Sequence, residues 1–168
     1  MGRIKILELE KGRKEELYAR LCASIYSQEK GKSGQSNNQR IFALVDSGRI
    51  CAVVVVQRPT KFYSLIHTLG ADPLKSWVIC RMAYCCPGGY LVTLLKGVAN
   101  ILSGEGSSLL LTVTSDPENM DACREAGFLQ HMKQYHGSAI FYLLLETLKT
   151  RDEKQTPMGD TDTNRMER

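Results

Sequence analysis

Between Ser76 and Gly127 the sequence reads as an apolar strand, a break at Pro87-Gly88-Gly89, an amphipathic helix, a second apolar strand and a second helix. A chain that leaves one strand, crosses by a helix and returns to a neighbouring strand lays the two strands parallel, with a right-handed crossover. The first strand, SWVICRMAYCC (Ser76–Cys86), is apolar along its length and calls for cover on both faces. In the crossover, Leu91, Leu94, Leu95, Val98, Ile101 and Leu102 recur at helical spacing to about Ser103, and Gly104-Glu105-Gly106 ends the helix. The second strand is SLLLTVTS (Ser108–Ser115). Asp116 or Ser115 then suits a helix cap, Pro117 the first turn, Ala126 the end and Gly127 the left-handed residue that closes it.

The remaining segments predict antiparallel strands. IFALVDSGRICAVVVVQRP holds two β-branched runs around Asp46-Ser47-Gly48-Arg49, a hairpin, and a second hairpin joins Gln130–Tyr135 to Ser138–Glu146 through His136-Gly137. Ile4, Ile6, Leu7 and Leu9 mark a first strand with a slip of phase between Ile6 and Leu7. Leu17, Leu21, Cys22 and Ile25 mark a helix from about Arg13 to Tyr26, and residues 27–39 have no apolar anchor and read as a mobile loop. KFYSLIHTLGADPLK fits either a short helix or an irregular connection. The expected fold is α+β with an α/β-like crossover: a mixed, mostly antiparallel seven-stranded sheet with helices on both faces. Its domain spans 1–147. In the segment 148–168 apolar residues nearly vanish and the charges cancel, which predicts a disordered polar tail.

At 168 residues, with 43% hydrophobic and 24% charged content, the chain is expected to bury one core. No apolar run approaches the roughly 18 residues of a membrane span, and the first residues carry no secretory pattern, so a cytoplasmic protein without a membrane partner is expected. Monomer and homodimer both stay open. The six cysteines lie mostly in apolar runs without regular spacing and read as reduced thiols. No second Cys/His pair stands at zinc spacing from Cys80, Cys85 and Cys86, so no metal site is expected.

Several residues carry two readings each. Gly88 and Gly89 allow bare backbone to approach an anion, and are equally what a strand-to-helix turn uses. Asp116 follows the end of a strand, where open sheets gather ligands, and serves there as a base, as a hold on an amine, or as a helix cap. Arg81 places a charge inside an apolar strand, which suits a grip on phosphate or nucleic acid, or else a surface position. His131 and His136 flank the last hairpin as candidate bases or as incidental surface residues. The net charge of +4 permits a nucleic-acid partner without requiring one.

The element order from residue 3 to 146, together with DPENMDACREAGF (Asp116–Phe128), resembles the GCN5-related N-acetyltransferase superfamily. The resemblance implies a V-shaped split between strands 76–86 and 108–115, into which the pantetheine arm of acetyl-CoA or another acyl-CoA adds like a strand. It implies contacts from Met82 and Tyr84 on the strand, and diphosphate contacts from Gly88, Gly89 and Tyr90 at the start of the following helix. It implies catalysis around Arg81, Asp116 and Cys123, the last standing where that superfamily usually carries a tyrosine that protonates the leaving thiolate. The implied reaction transfers an acyl group to an amine acceptor of unspecified class. The turn here is shorter than the superfamily's usual Gln/Arg-x-x-Gly-x-Gly/Ala loop, has no basic residue within it and includes Pro87. The short turn, Arg81 and Asp116 also resemble the phage Mom-like branch, which implies adenine modification in DNA, with Lys30, Lys32 and Arg40 as the basic residues to meet it. A third reading is an acetyltransferase fold that serves as a non-catalytic interaction module.

Overall fold

A computed structural model describes residues 3–9, 39–85 and 89–148 of the chain. The expected helix at 13–26, residues 27–38 of the expected loop, Cys86–Gly88 and the tail from residue 149 lie outside the described residues. The strands are β1 (Ile4–Glu8), β2 (Gln39–Asp46), β3 (Arg49–Gln57), β4 (Ser76–Tyr84), β5 (Leu109–Thr114), β6 (Leu129–Tyr135) and β7 (Ser138–Leu144). The helices are α1 (Tyr63–Thr68), α2 (Gly89–Gly104) and α3 (Pro117–Glu125), with a 3-10 turn at Pro73–Lys75. The ambiguous segment after β3 therefore contains a short helix, and strand β2 begins at Gln39, inside the stretch expected to be loop.

The strands form one seven-stranded sheet in the order β1-β2-β3-β4-β5-β7-β6. Among the described residues every neighbouring pair is antiparallel except β4 and β5, which run parallel from Ser76↔Leu109 to Ile79↔Thr112. The crossover through α2 forces that exception. Cys51 to Val56 of β3 are buried at six successive positions, which explains an apolar run with no alternation: both faces of this central strand are covered.

The main core lies on one face, where Phe42, Leu44, Val54, Val56, Trp77, Ile79, Leu110 and Phe141 pack under α2 and α3. On the opposite face Ile41, Ala43, Val53, Val55 and Ala83 form one cluster, and Leu109, Leu111 and Ile140 form another beneath Ile66 of α1. Edge strand β1 is held to the main core through Ile6, whose Cδ1 comes so close to Gly97 of α2 that a Cβ there would lie 2.0 Å from it. A glycine in mid-helix costs about 1 kcal/mol against alanine, and this close approach offsets that cost.

Arg40 locks the same corner. Its guanidinium donates to both oxygens of Glu8 (2.8 and 2.9 Å) and both oxygens of Glu105 (2.6 and 2.8 Å). It also lies 5.1 Å from the Phe42 ring centroid and 5.2 Å from that of Trp77, whose face is further covered by the Arg58 guanidinium at 3.8 Å. β1, β2 and the end of α2 are thus joined by one side chain.

Candidate functional site

β4 continues for five residues beyond its last pairing with β5, while β5 keeps its pairing with β7 to Thr114↔Ala139 and β4 keeps its pairing with β3 to Tyr84↔Ala52. The parallel pair therefore opens after Ile79 and Thr112. A bulge drives the opening. Val56 pairs with Ile79 and Val55 with Arg81, which leaves Cys80 as the extra residue, and a bulge bends its strand and increases the local twist. Thr112 Oγ1 donates to the Ile79 carbonyl at 3.4 Å where the strands part.

The bulge also exchanges faces. Before it, Trp77 and Ile79 look toward α2; after it, Met82 and Tyr84 do, and Arg81 shares the opposite face with its partner Val55 and with Ala83. Backbone directions alternate along a strand, and the Cys85 N–H donates to Cys51 O at 2.9 Å. Ala83 and Arg81 thus present their backbone to β3, whereas Met82 and Tyr84 present theirs to the gap. These are the two β4 positions expected to meet an arm lying there.

Beyond the gap stands the start of α2, with no acidic residue in its first turn. Unpaired N–H groups and the helix dipole favour an anion at such an end. Tyr90 fixes the helix by donating its hydroxyl to Asp46 Oδ2 at 2.7 Å, across to the β2–β3 turn. A Cβ at Gly89 would meet nothing within 4 Å, so packing does not require glycine there. Gly88 lies outside the described residues.

On the far side of the gap, α3 starts at the end of β5. Asp116 is its N-cap, with Oδ1 accepting the Glu118 N–H at 2.9 Å, so the capping reading is realised in the structure. Glu118 accepts a hydrogen bond from the Tyr84 hydroxyl, which ties the first turn of α3 to the end of β4 across the mouth of the gap. The next residue, Asn119, is buried, and its Oδ1 has no hydrogen-bond partner among the described residues.

Cys123 and Arg81 each take one of the places open to them. Cys123 is 0% exposed within the main core, and burial pushes its thiol up to about 12 against a smaller opposing pull from Arg124. A thiol held so high is a poor proton donor, and its place is that of a small core residue. Arg81 is exposed although its strand neighbours are apolar, because the bulge turns it away from α2. The structure brings Met82, Tyr84, Gly89, Tyr90 and Asp116 around one gap; Arg81 stands on its other face, and Cys123 behind it. Sequence reasoning missed the tie from Tyr84 to Glu118, and Asn119.

Arg40 is held by two carboxylates, those of Glu8 and Glu105. Lys30 and Lys32 lie outside the described residues. His136 packs edge-on against Tyr135 at 4.3 Å and Tyr135 against Phe62 at 4.9 Å, while His131 faces Tyr142 at 6.4 Å. No group of three or more His, Cys, Asp or Glu side chains suited to a metal ion occurs among the described residues. No helix among them is long and apolar enough to cross a membrane.

A bulged strand that parts from its parallel neighbour, with a helix starting beyond its end, is the architecture of the GCN5-related N-acetyltransferase fold, and this chain has that fold. Among solved structures it is similar to FeeM, an N-acyl amino acid synthase from uncultured soil microbes (TM-score 0.66, 10% identity, covering 89% of this chain and 95% of that one). It is similar to Tetrahymena GCN5 (TM-score 0.62, 13% identity, 84% and 96%). It also resembles a Bacillus subtilis acetyltransferase in complex with CoA (TM-score 0.57, 12% identity, 86% and 99%). No family model matches the chain, and neither does any curated protein.

Proposed function

We propose that the chain is an N-acyltransferase that takes its acyl group from acyl-coenzyme A, acetyl being the first to test, and passes it to an amine. The observation that carries this is the parting of β4 from β5 after Ile79↔Thr112, which turns the backbone of Met82 and Tyr84 toward a gap lined by α2 and α3. An arm bearing amides fits such a gap, because strand-like backbone groups pair with it as they pair with a neighbouring strand. The start of α2, with no acidic residue in its first turn, favours the diphosphate. Among the neighbouring folds, FeeM is an N-acyl amino acid synthase, and the Bacillus subtilis acetyltransferase holds CoA.

Bound acyl-coenzyme A supplies an activated thioester. The chain's part is to hold the arm along β4 and to keep the carbonyl beside the bulge at Cys80 and Arg81. Amide formation replaces the C–S bond with a C–N bond and moves one proton from the amine to the departing sulfur. Asp116 already gives one carboxylate oxygen to its cap.

The test is incubation with acetyl-CoA and a panel of amines, following free thiol release by absorbance and acylated product by mass spectrometry. Amine-dependent thiol release with a matching mass gain is expected. Thiol release that never exceeds the amine-free rate, with no acylated product, would contradict the proposal.

A further inference from the structure

The end of β4 and the first turn of α3 are bridged at a level where β4 and β5 have already parted. The last pair of those two strands is Ile79↔Thr112. Tyr84, further along β4, packs on the face that carries α2 and α3, and its hydroxyl donates to the Glu118 carboxylate in the first turn of α3. Both helices begin at this end of the sheet, α2 beyond the end of β4 and α3 beyond the end of β5, and the two pack against each other. An arm lying along β4 therefore reaches the start of α2 between the two helix starts, where the bond from Tyr84 to Glu118 runs.

Neither the fold nor the chemistry requires this bond. β4 is already held at the same level by the Tyr84↔Ala52 pair and by the Cys85 N–H on Cys51 O, and the start of α3 is held by its Asp116 cap. Along the strand, Tyr84 stands about 13 Å beyond the bulge at Cys80, so the pair is remote from a carbonyl kept there. Glu118 is exposed, so water takes over its carboxylate whenever the bond opens.

We propose that the Tyr84–Glu118 hydrogen bond is a strap across the β4–β5 gap, which opens to admit the acyl donor and closes again over its arm. The inference rests on the acyl-coenzyme A reading and deepens it. The nucleotide head of the donor is wider than the arm and does not thread beneath a closed strap, so the bond opens once for entry and once for release. It therefore adds to the barrier in both directions. A tie that served only the fold would touch neither rate.

The full-length protein is compared with Tyr84→Phe, which keeps the ring and the strand, with Glu118→Ala, and with the double variant. Surface plasmon resonance gives association and dissociation rates for CoA and, separately, for adenosine 3′,5′-bisphosphate, which has no arm to be strapped. Each single variant is expected to speed both CoA rates about tenfold, the worth of one hydrogen bond in a barrier, and to leave the bisphosphate rates as they are. The double variant should be no faster than either single one, because both remove the same bond. Unchanged CoA rates would assign the bond to the fold and overturn the proposal. Faster association with dissociation unchanged would overturn it too, since nothing would then close over the bound arm. Bisphosphate rates that rise as much as those of CoA would overturn it as a general loosening of the site. Unaltered protein that takes up no CoA would overturn the donor reading and the strap with it, whereas CoA uptake indifferent to the substitutions overturns the strap alone.

Discussion

Replacing Arg40 with alanine removes a side chain that joins β1, β2 and the end of α2. Its side chain is 19% exposed, while Glu8 and Glu105 are 42% and 45% exposed, so the ion pairs are partly screened by solvent and count at the exposed scale of about 0.2 to 1 kcal/mol each. Both pairs are bidentate, which favours the upper end of that range. The guanidinium over Phe42 and Trp77 adds about 0.5 to 1 kcal/mol. Some is recovered because Arg58, whose guanidinium Arg40 disfavours, is relieved of a like charge. The expected loss is about 2 to 3 kcal/mol. For a chain of this size each 1 kcal/mol lowers the thermal midpoint by about 2 to 4 °C, so a fall of about 4 to 12 °C should appear in calorimetry, with a matching drop in the urea midpoint. Arg40→Lys keeps the charge but not the fork and should recover less than half of the loss. Raising salt should narrow the gap between the parent and variant proteins. A destabilisation below about 0.5 kcal/mol would refute the network as a structural element. So would a variant of full stability that had instead lost affinity for DNA, because Arg40 would then be the nucleic-acid contact.

Three further outcomes follow from single residues. Asp116→Ala should lose about 1 kcal/mol through the missing cap, while Asp116→Asn, which caps equally well, should keep both stability and acyl transfer; activity abolished in the asparagine variant at full stability would make Asp116 a base. The Cys123 thiol holds its proton more tightly folded than unfolded, so its contribution to stability is whole below about pH 9 and is lost as pH rises toward 12. Urea titrations at pH 8 and pH 11 should therefore show a fall in the unaltered protein that is smaller in Cys123→Ala, and native Cys123 should resist iodoacetamide; rapid alkylation would place it at the surface. Gly89→Ala should fold at least as stably, since its Cβ meets nothing within 4 Å, yet weaken CoA binding where bare backbone approaches the diphosphate. Equal affinity in that variant would separate the start of α2 from the ligand.

Most of the fold was legible because its signals are local. Gly48 and Gly137 turn the two hairpins at positive φ, the apolar runs supply the strands, and the stripe from Leu91 to Leu102 supplies the crossover. The bulge at Cys80 was not legible, since it arises from pairing with β3 and leaves no glycine to mark it. Its consequence is the face of Arg81: simple alternation from Ile79 puts that residue toward α2, whereas the bulge turns it to the opposite face. The ion pairs of Arg40 were not legible because its partners stand 32 and 65 residues away. Cys123 and Asn119 form a contrasting pair on one helix face. Both are buried, and their helical spacing, with Ala122 between them, is a signal present in the sequence.

The acyl-coenzyme A reading turns on the gap between β4 and β5, and titration calorimetry of the unaltered protein with CoA addresses it most directly. Saturable binding of one CoA per chain is expected, with a rise in the thermal midpoint that grows with ligand concentration, reaching about 2.7 kcal/mol of added stability at a hundredfold excess over the dissociation constant. No heat of binding and no midpoint shift at millimolar CoA would contradict it.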